Sequence, residues 1–365
     1  MSGFDKIDHI IQQAENRIGN LYSRITPENS RQQKEQFLNE ETAEPSFSYP
    51  ALDYDTEALD TQLTGLDIPE GSLGTLYRKK IDEIRLKNQI VANIGDPDAI
   101  QRLTQQLYGS PSESLVRAAQ ELLHSINSEE QSGEIPADKV RDEIQKVLDQ
   151  LGMDDWQVSY YQTDAKTSTS VKPSEKTIYL QKDRKFDRNA PERQAVHEGG
   201  VHALRSANGF RQDHYIFGIG VPGYMATEEG LATYMEELTG NLDKNTLRKY
   251  AGRVIAVNAV LDDRTFRDTY HHLHQEHDFS QDMAWEITKR AYRAGGFIKD
   301  HVYFEGRQKI KQYDGNLDHL FVGKVAVDDI DQVRDLLRQG VLRQNRYTPG
   351  DVLAMYSTRQ DGKSG

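Results

Sequence analysis

The chain has 365 residues, 36% hydrophobic and 28% charged, and its 45 basic and 58 acidic side chains give a formal charge of −13. This balance is typical of a soluble globular protein and argues against general nucleic-acid binding and against attachment to an anionic membrane surface. Cysteine is absent, which excludes disulfides and thiolate metal sites, so that any zinc ion must be held by nitrogen and oxygen ligands.

The N-terminal part of the chain shows no targeting signal. The first twenty residues lack the long apolar run of a signal peptide, and no stretch approaches the roughly 20 apolar residues that span a bilayer. We therefore expect a cytoplasmic protein with no membrane partner. Residues 1–48 are polar and predict an arm or linker after one short helix, and residues 49–365 are expected to form a single domain.

Helical periodicity dominates the part that follows this arm. The segment LYRKKIDEIRLKNQIVANIGD (76–96) has apolar residues at helical spacing before a Gly-Asp-Pro stop, and ESLVRAAQELLHSI (113–126) repeats the pattern. Between Trp156 and Lys182 the period shortens, and WQVSYYQ and KTIYLQK predict strands. Helices dominate again from Asn189 onward. The sequence thus predicts an α+β fold, mostly helical, with a small sheet and an N-terminal helical region.

The segment RQAVHEGGVHALRSANGF (193–210) resembles a zinc-protease signature with one residue too many. In the common form, His-Glu-x-x-His, the histidines lie four residues apart on one helix face, whereas His197 and His202 lie five apart. On a regular α-helix this spacing leaves the two side chains about 140° out of alignment. Either a π-type turn centred on Gly199 and Gly200 brings both histidines to one ion, or they are two partly buried histidines on an ordinary helix.

The two glycines favour the distorted helix. Each costs roughly 1 kcal/mol relative to alanine in a helix interior, so their presence calls for a reason. We expect them to permit unusual dihedral angles or the close approach of a neighbour.

A carboxylate from a following helix would complete such a site, because catalytic zinc usually takes three protein ligands. The segment GYMATEEGLATYMEELTG predicts a helix that begins near Thr227, with Glu228 and Glu229 in its first turn. The small residues Gly230 and Ala232 permit close packing against another helix. This arrangement resembles glutamate-bearing zinc peptidases, although acidic residues also favour helix N-termini for electrostatic reasons alone.

The two motifs together resemble the microtubule-associated tyrosine carboxypeptidases and their bacterial relatives, which are labelled flavohaemoglobin expression-modulating QEGLA-motif proteins. Gly199 and Val201 replace the commoner Ile and Thr of the first motif, and Glu228 replaces the Gln of QEGLA; none is a ligand position. The similarity runs from about Glu44 almost to the C-terminus. Six further segments fit the same family in order: EPSFSYP, LYRKKIDEIRLKNQ, LYGSPSESLVRAA, LRSANGFRQ, YRAGGFIKDHVYFEG and LFVGKV.

The resemblance implies a gluzincin-like metallopeptidase domain that holds one zinc ion per chain. His197, His202 and Glu229 would bind the ion, with Glu228 as the alternative third ligand or as a partner that orients a histidine. Glu198 would act as the catalytic general base. The implied reaction removes a C-terminal residue, with tyrosine or another aromatic residue as the candidate, from a peptide or protein.

The segment KRAYRAGGFIKDHVYFEG supplies candidates for the rest of the pocket. An arginine fork suits a terminal carboxylate, and the basic candidates are Arg290, Arg293 and Lys299, with Arg205 near the histidines as a fourth. Tyr303 could donate a hydrogen bond to the developing oxyanion. Each of these residues competes with an ordinary surface-charge interpretation.

A second histidine cluster lies in YHHLHQEH, where His271, His274 and His277 follow at three-residue steps. Such a row could bind a metal, but the stretch is very polar, and a solvated helix face is the favoured interpretation.

Two other functions stay open. The chain could be a regulatory protein that keeps zinc for structure, or a zinc hydrolase that acts on another amide. The intact Glu198 favours the peptidase, because a structural zinc ion has no use for a general base. We expect the C-terminus of a peptide or protein as substrate, and the acidic balance of the chain makes the acidic tails of tubulin the less favoured one.

Overall fold

The computed structural model describes residues 3–128, 133–161 and 169–361. Over these residues the chain is mostly helical with small sheets, which confirms the α+β prediction at that level. None of the helices in these ranges is both long and apolar enough to cross a membrane. The chain folds into two compact units, unit 1 with Met1–Ser128 and Lys244–Glu305, and unit 2 with Glu129–Asp243 and Gly306–Gly365. The predicted boundary at residue 48 does not coincide with this division.

The elements follow one another in chain order. The first seven helices are α1 (Gly3–Ile18), α2 (Leu21–Ile25), α3 (Ser30–Leu38), α4 (Thr56–Thr64), α5 (Ser72–Ala92), α6 (Pro97–Tyr108) and α7 (Glu113–Ser125). Then come β1 (Ile135–Pro136), α8 (Ala137–Gln150), β2 (Gln157–Tyr160), β3 (Thr169–Lys172), β4 (Thr177–Leu180), β5 (Lys185–Phe186), α9 (Ala190–Gln194), a π-helix (Ala195–Ala203), α10 (Leu204–Gly209), α11 (Ile216–Ile219) and α12 (Tyr224–Leu238). The remaining elements are α13 (Lys244–Leu261), α14 (Phe266–His271), a second π-helix (His272–Glu276), α15 (Gln281–Tyr292), α16 (Val302–Gln312), α17 (Ile330–Arg338) and α18 (Pro349–Asp361).

The two helices predicted in the N-terminal part are present as α5 and α7. Helix α7 is capped by Ser112, whose hydroxyl accepts a hydrogen bond from the backbone N–H of Leu115 at 3.2 Å. The Gly-Asp-Pro sequence that ends α5 also starts α6. Asp96 accepts from the N–H of Ala99 at 3.1 Å, and Pro97 stands at the first helical position, where no N–H is needed.

Residues 1–48 do not form the predicted loose arm, since they contain α1, α2 and α3. Ile7, Ile11 and Ile18 of α1 are at most 3% exposed. Phe37 of α3 belongs to a hydrophobic cluster of buried residues in unit 1. The polar composition hides this order because the few apolar residues are spaced to cover a single face of each helix.

Unit 2 contains the two small sheets. Strand β4 is the middle strand of a three-stranded sheet, parallel to β2 and antiparallel to β3, so that Ile178 is in register with Val158 on one side and Val171 on the other. Strands β2 and β4 are the two that the sequence predicted. Strand β3 and the antiparallel β1–β5 pair escaped prediction. Strands β1 and β5 have two residues each, and β3 has Val171 as its single apolar residue, so these segments give little periodic signal.

The predicted helix around the first histidine motif spans residues 190–209 and is called the histidine helix here. Its middle part, Ala195–Ala203, is a π-helix, which confirms the expected distortion. Neither Gly199 nor Gly200 has a positive φ, so unusual dihedral angles are not the reason for glycine. A Cβ atom at Gly200 would lie 2.9 Å from Cγ1 of Val352, whereas one at Gly199 would meet its nearest side-chain atom at 3.5 Å. Close approach therefore explains Gly200.

Candidate metal centre

His197 and His202 face each other across the π-helical turn. Their ring centroids are 4.6 Å apart with the planes at 80°, and their side chains are 13% and 12% exposed. A π-helix adds one residue to each hydrogen-bonded turn, so five residues make about one turn. The widened turn therefore brings together two imidazoles that a regular α-helix would hold apart.

Glu229 of α12 faces both histidines. Its Oε2 atom lies 3.7 Å from Nε2 of His197 and 4.0 Å from Nε2 of His202. Single ligand atoms of these three residues all lie within 4.8 Å of one another, and no other set of His, Cys, Asp or Glu side chains among the described residues does so. Two imidazole nitrogens and one carboxylate oxygen form a donor set that catalytic zinc sites use.

The start of α12 bears on the interpretation of Glu228 and Glu229. The helix begins at Tyr224, earlier than the predicted start near Thr227, and its first turn contains no acidic residue. Glu228 and Glu229 lie beyond that turn, where the attraction of the helix N-terminus for acidic side chains has faded. The electrostatic preference for helix starts therefore does not account for them.

The Nδ1 atom of each histidine lies beside a further carboxylate. Nδ1 of His197 lies 2.7 Å from Oε1 of Glu236, and Nδ1 of His202 lies 3.0 Å from Oε1 of Glu228. A neutral imidazole that donates Nδ1–H to a carboxylate keeps its lone pair on Nε2, the atom that is turned toward Glu229. Histidines that bind metals commonly have this arrangement.

Glu228 is paired with two buried cations. Nζ of Lys324 lies 2.9 Å from its Oε1 atom, and Nη1 of Arg205 lies 2.7 Å from its Oε2 atom. Burial raises the pKa of Glu228, but the charges of Lys324 and Arg205 and the hydrogen bond from His202 outweigh it and hold the pKa well below the usual range. Both oxygens of Glu228 are thus engaged with protein groups, one of which is His202.

The carboxylates favour a positive charge between the histidines. Burial lowers the pKa of His197, but the hydrogen bond and charge of Glu236, with the charges of Glu198 and Glu229, raise it to about 9. Glu198 lies in the π-helix and is 8% exposed. A proton or a metal cation can supply the favoured charge, and the two compete for the same nitrogen atoms.

The residue after Glu229, Gly230, makes a close backbone contact with Gly306. A Cβ atom added at Gly230 would lie 2.3 Å from the carbonyl oxygen of Gly306, and one added at Gly306 would lie 1.9 Å from the carbonyl oxygen of Ala226. Glycine at both positions therefore lets α12 and the backbone around residue 306 pack without intervening side chains. This contact is the close packing that the small residue after Glu229 predicted.

Arg205, predicted as a substrate-binding residue, is fully buried. Its guanidinium donates to Glu228 at 2.7 Å and to the backbone carbonyls of Leu320 and Val325 at 3.0 and 2.6 Å. Each of its three nitrogen atoms therefore has an acceptor within the protein. These contacts make Arg205 a partner of Glu228 in the structure.

The other predicted pocket residues are brought together in unit 1 around Asp300. Arg290 forms a two-bond ion pair with Asp300, in which Nη2 lies 3.0 Å from Oδ1. Lys299 is 1% exposed, and its Nζ lies 5.0 Å from the ring centroid of Tyr303. Arg293 is 5% exposed, and its Nε and Nη2 atoms are buried without a hydrogen-bond partner.

Sequence reasoning missed two residues of the candidate metal centre, Glu236 and Lys324. Glu236 lies seven residues after Glu229, two turns along the same helix, so helical periodicity alone could have placed both carboxylates on one face. Lys324 lies about a hundred residues beyond its partner Glu228, and no spacing in the sequence connects them.

Comparison with known proteins places the chain in a family. A search of curated proteins found no match. A family model described as microtubule-associated tyrosine carboxypeptidase matches residues 35–360, nearly the whole chain. The match includes both histidines, Glu198 and all three glutamates of α12 named above. The chain belongs to the microtubule-associated tyrosine carboxypeptidase family.

Proposed function

We propose that the protein is a zinc-dependent, gluzincin-like metallocarboxypeptidase that removes a C-terminal residue, with tyrosine or another aromatic residue as the candidate, from a peptide or protein. Membership of the family indicates carboxypeptidase-type activity. The observation that carries the zinc dependence is the convergence of His197, His202 and Glu229, in which one carboxylate oxygen lies within 4.0 Å of both Nε2 atoms.

The residues fit one zinc ion per chain in number and in chemistry. Two neutral imidazoles and one carboxylate would hold the ion and would leave it open to water or substrate. Glu236 and Glu228 lie at the Nδ1 atoms, where they orient the rings and fix which nitrogen carries the proton. When bound, zinc supplies a positive charge that activates water and polarises the substrate carbonyl.

Glu198 supplies the proton transfers. We assign it as the general base that takes a proton from the attacking water as the water oxygen bonds to the carbonyl carbon. The same carboxyl group then gives that proton to the amine nitrogen as the carbon–nitrogen bond breaks. Its position beside His197 in the π-helix and its burial support this role.

The basic residues of unit 1 are candidates for recognising the substrate. Arg293 offers two buried nitrogen atoms without hydrogen-bond partners, and Arg290 and Lys299 add positive charge. A carboxylate would satisfy such donors, and guanidinium groups bind carboxylates through two parallel hydrogen bonds. The role of Tyr303 as a donor to the oxyanion stays a prediction from the sequence. Because acidic residues outnumber basic ones by 58 to 45 over the whole chain, we expect a substrate other than tubulin.

The experiment compares wild type with Glu198→Gln on a peptide library with diverse C-termini, read by mass spectrometry. We expect wild type to release single C-terminal residues and Glu198→Gln to lose at least about 100-fold in rate while keeping zinc, because only the general base is removed. Glu192→Gln, on the same histidine helix, is the matched control and should keep full activity. A zinc-loaded wild type that releases nothing would support the regulatory alternative. Full activity of Glu198→Gln would show that Glu198 is not the general base.

A further inference from the structure

The histidine-rich segment of unit 1 contains the second π-helix, His272–Glu276. The sequence pointed to His271, His274 and His277 as a row on one helix side. These three are not among the described residues whose ligand atoms lie within 4.8 Å of one another, and Nδ1 of His274 lies 2.7 Å from the carbonyl oxygen of Phe279. A different set of histidines meets here.

His272 and His277 repeat the geometry of the pair in the candidate metal centre. Both pairs are five residues apart at a π-helix, and the ring centroids are 4.8 Å apart at 78° here against 4.6 Å at 80° for His197 and His202. Nδ1 of His272 lies 3.2 Å from Oε1 of Glu276. As in the first pair, a carboxylate at Nδ1 leaves the lone pair of a neutral ring on Nε2.

His277 is buried and its ring has no hydrogen-bond partner. The residue is 5% exposed, and both of its ring nitrogens are buried and unpartnered. Buried polar groups in folded proteins are nearly always satisfied, so such a ring calls for an absent partner.

His124, on the last turn of α7, supplies a third imidazole. Its exposed ring lies with its centroid 5.7 Å from that of His277. Arg248 holds the two residues together, since its buried guanidinium donates to the backbone carbonyls of Leu123, Ile126 and His277. The end of α7 and residue 277 are therefore tied to one side chain.

We propose that His124, His272 and His277 form a second metal site, separate from the peptidase centre, that takes a borderline divalent transition ion such as Zn²⁺. Imidazole nitrogen is a preferred ligand of such ions. Among the described residues, only the candidate metal centre already has three ligand atoms within 4.8 Å, so the second site closes when the exposed His124 side chain turns inward. This rearrangement, the lack of a carboxylate ligand and the nearby charge of Arg248 make it the weaker site.

The test uses the His197→Ala/His202→Ala variant, in which the first site cannot contribute, titrated with Zn²⁺ in a calorimeter. We expect about one ion to bind per chain. His124→Ala or His277→Ala in this background should weaken binding at least tenfold, since even partners outside the ligand set change metal affinity by roughly 10–100-fold. His274→Ala, from the same segment, is the matched control and should bind as its parent does.

Two results would overturn this site: no Zn²⁺ binding by the parent variant, or binding by both the His124→Ala and His277→Ala variants that equals the control. Thermal unfolding followed by circular dichroism distinguishes a loss of zinc binding from a loss of folding. The His124→Ala variant should stay folded, because the exposed His124 can be truncated without opening a buried cavity. Hydrolysis of peptides by wild type is measured separately. The second site can therefore fail without touching the peptidase proposal, and the reverse also holds.

Discussion

Replacing Gly230 by alanine tests whether the backbone contact behind Glu229 positions the candidate metal centre. The added Cβ would lie 2.3 Å from the carbonyl oxygen and 2.4 Å from the carbonyl carbon of Gly306. Ordinary van der Waals contact begins at 3.4 Å, so the two backbones must separate by about 1 Å. Both clashing atoms belong to the backbone, and no flexible side chain can absorb the shift.

Helix α12 carries Glu228, Glu229 and Glu236, so this shift moves carboxylates at the metal centre. Overpacking a tight contact costs roughly 1–3 kcal/mol of stability. Productive sites tolerate about 0.5 Å of displacement, and a 1 Å misplacement can lower the rate about 100-fold. We expect Gly230→Ala to unfold cooperatively at a lower temperature, to bind zinc more weakly and to lose about 100-fold in kcat/KM.

Zinc affinity is measured by competition with a chromophoric chelator, and peptide hydrolysis by mass spectrometry. Gly199→Ala is the matched control, because a Cβ atom there would meet its nearest side-chain atom at an ordinary distance of 3.5 Å. This variant should keep the zinc affinity and activity of wild type. A folded Gly230→Ala protein with the zinc affinity and kcat/KM of wild type would refute the reasoning that this contact places Glu229.

Two further variants test single carboxylates. Glu236→Gln removes the charge beside Nδ1 of His197 and should weaken zinc binding about 10–100-fold in the same competition assay; unchanged affinity would show that Glu236 does not orient the ring. Glu15→Gln tests a charge cluster in unit 1, where burial raises the pKa of Glu15 but Lys87 and Lys80 lower it to about 2. Because this folded-state pKa is depressed, the ionised Glu15 stabilises the folded state above about pH 4.5, and this stabilisation is lost as pH falls toward 2. It contributes at most about 3 kcal/mol to the free energy of unfolding. Chemical denaturation of both proteins should show a difference in the free energy of unfolding that shrinks over this range, and a constant difference would contradict it.

Local periodicity carried most of what the sequence predicted about the fold. Helices α5 and α7 and strands β2 and β4 lie where their apolar patterns indicated. The π-helix was predictable because a five-residue histidine spacing conflicts with a regular α-helix. The reason for glycine at position 200 was not predictable, because its close neighbour Val352 lies about 150 residues further along the chain. The helices within residues 3–48 were also missed, since burial of α1 depends on helices that follow it.

The metal centre shows the same limit. Glu228 and Glu229 are neighbours on one helix turn. Apart from the family resemblance, the sequence offered no way to tell which of them faces the histidines. The structure separates their contacts: Glu229 faces both Nε2 atoms, whereas Glu228 meets Arg205 and Lys324. These partners come from distant parts of the chain, and spacing carries no information about such contacts. Glu236 differs, because its helical spacing from Glu229 was visible in the sequence.

The zinc content of purified protein after dialysis tests the central claim most directly. Elemental analysis should find about one zinc per wild-type chain and none in His197→Ala/His202→Ala, because two of the three ligands are removed and cysteine is absent. The weaker second site should not retain its ion through dialysis. A wild type without zinc, or tight stoichiometric zinc in the double variant, would contradict the assignment of His197, His202 and Glu229 as the metal centre.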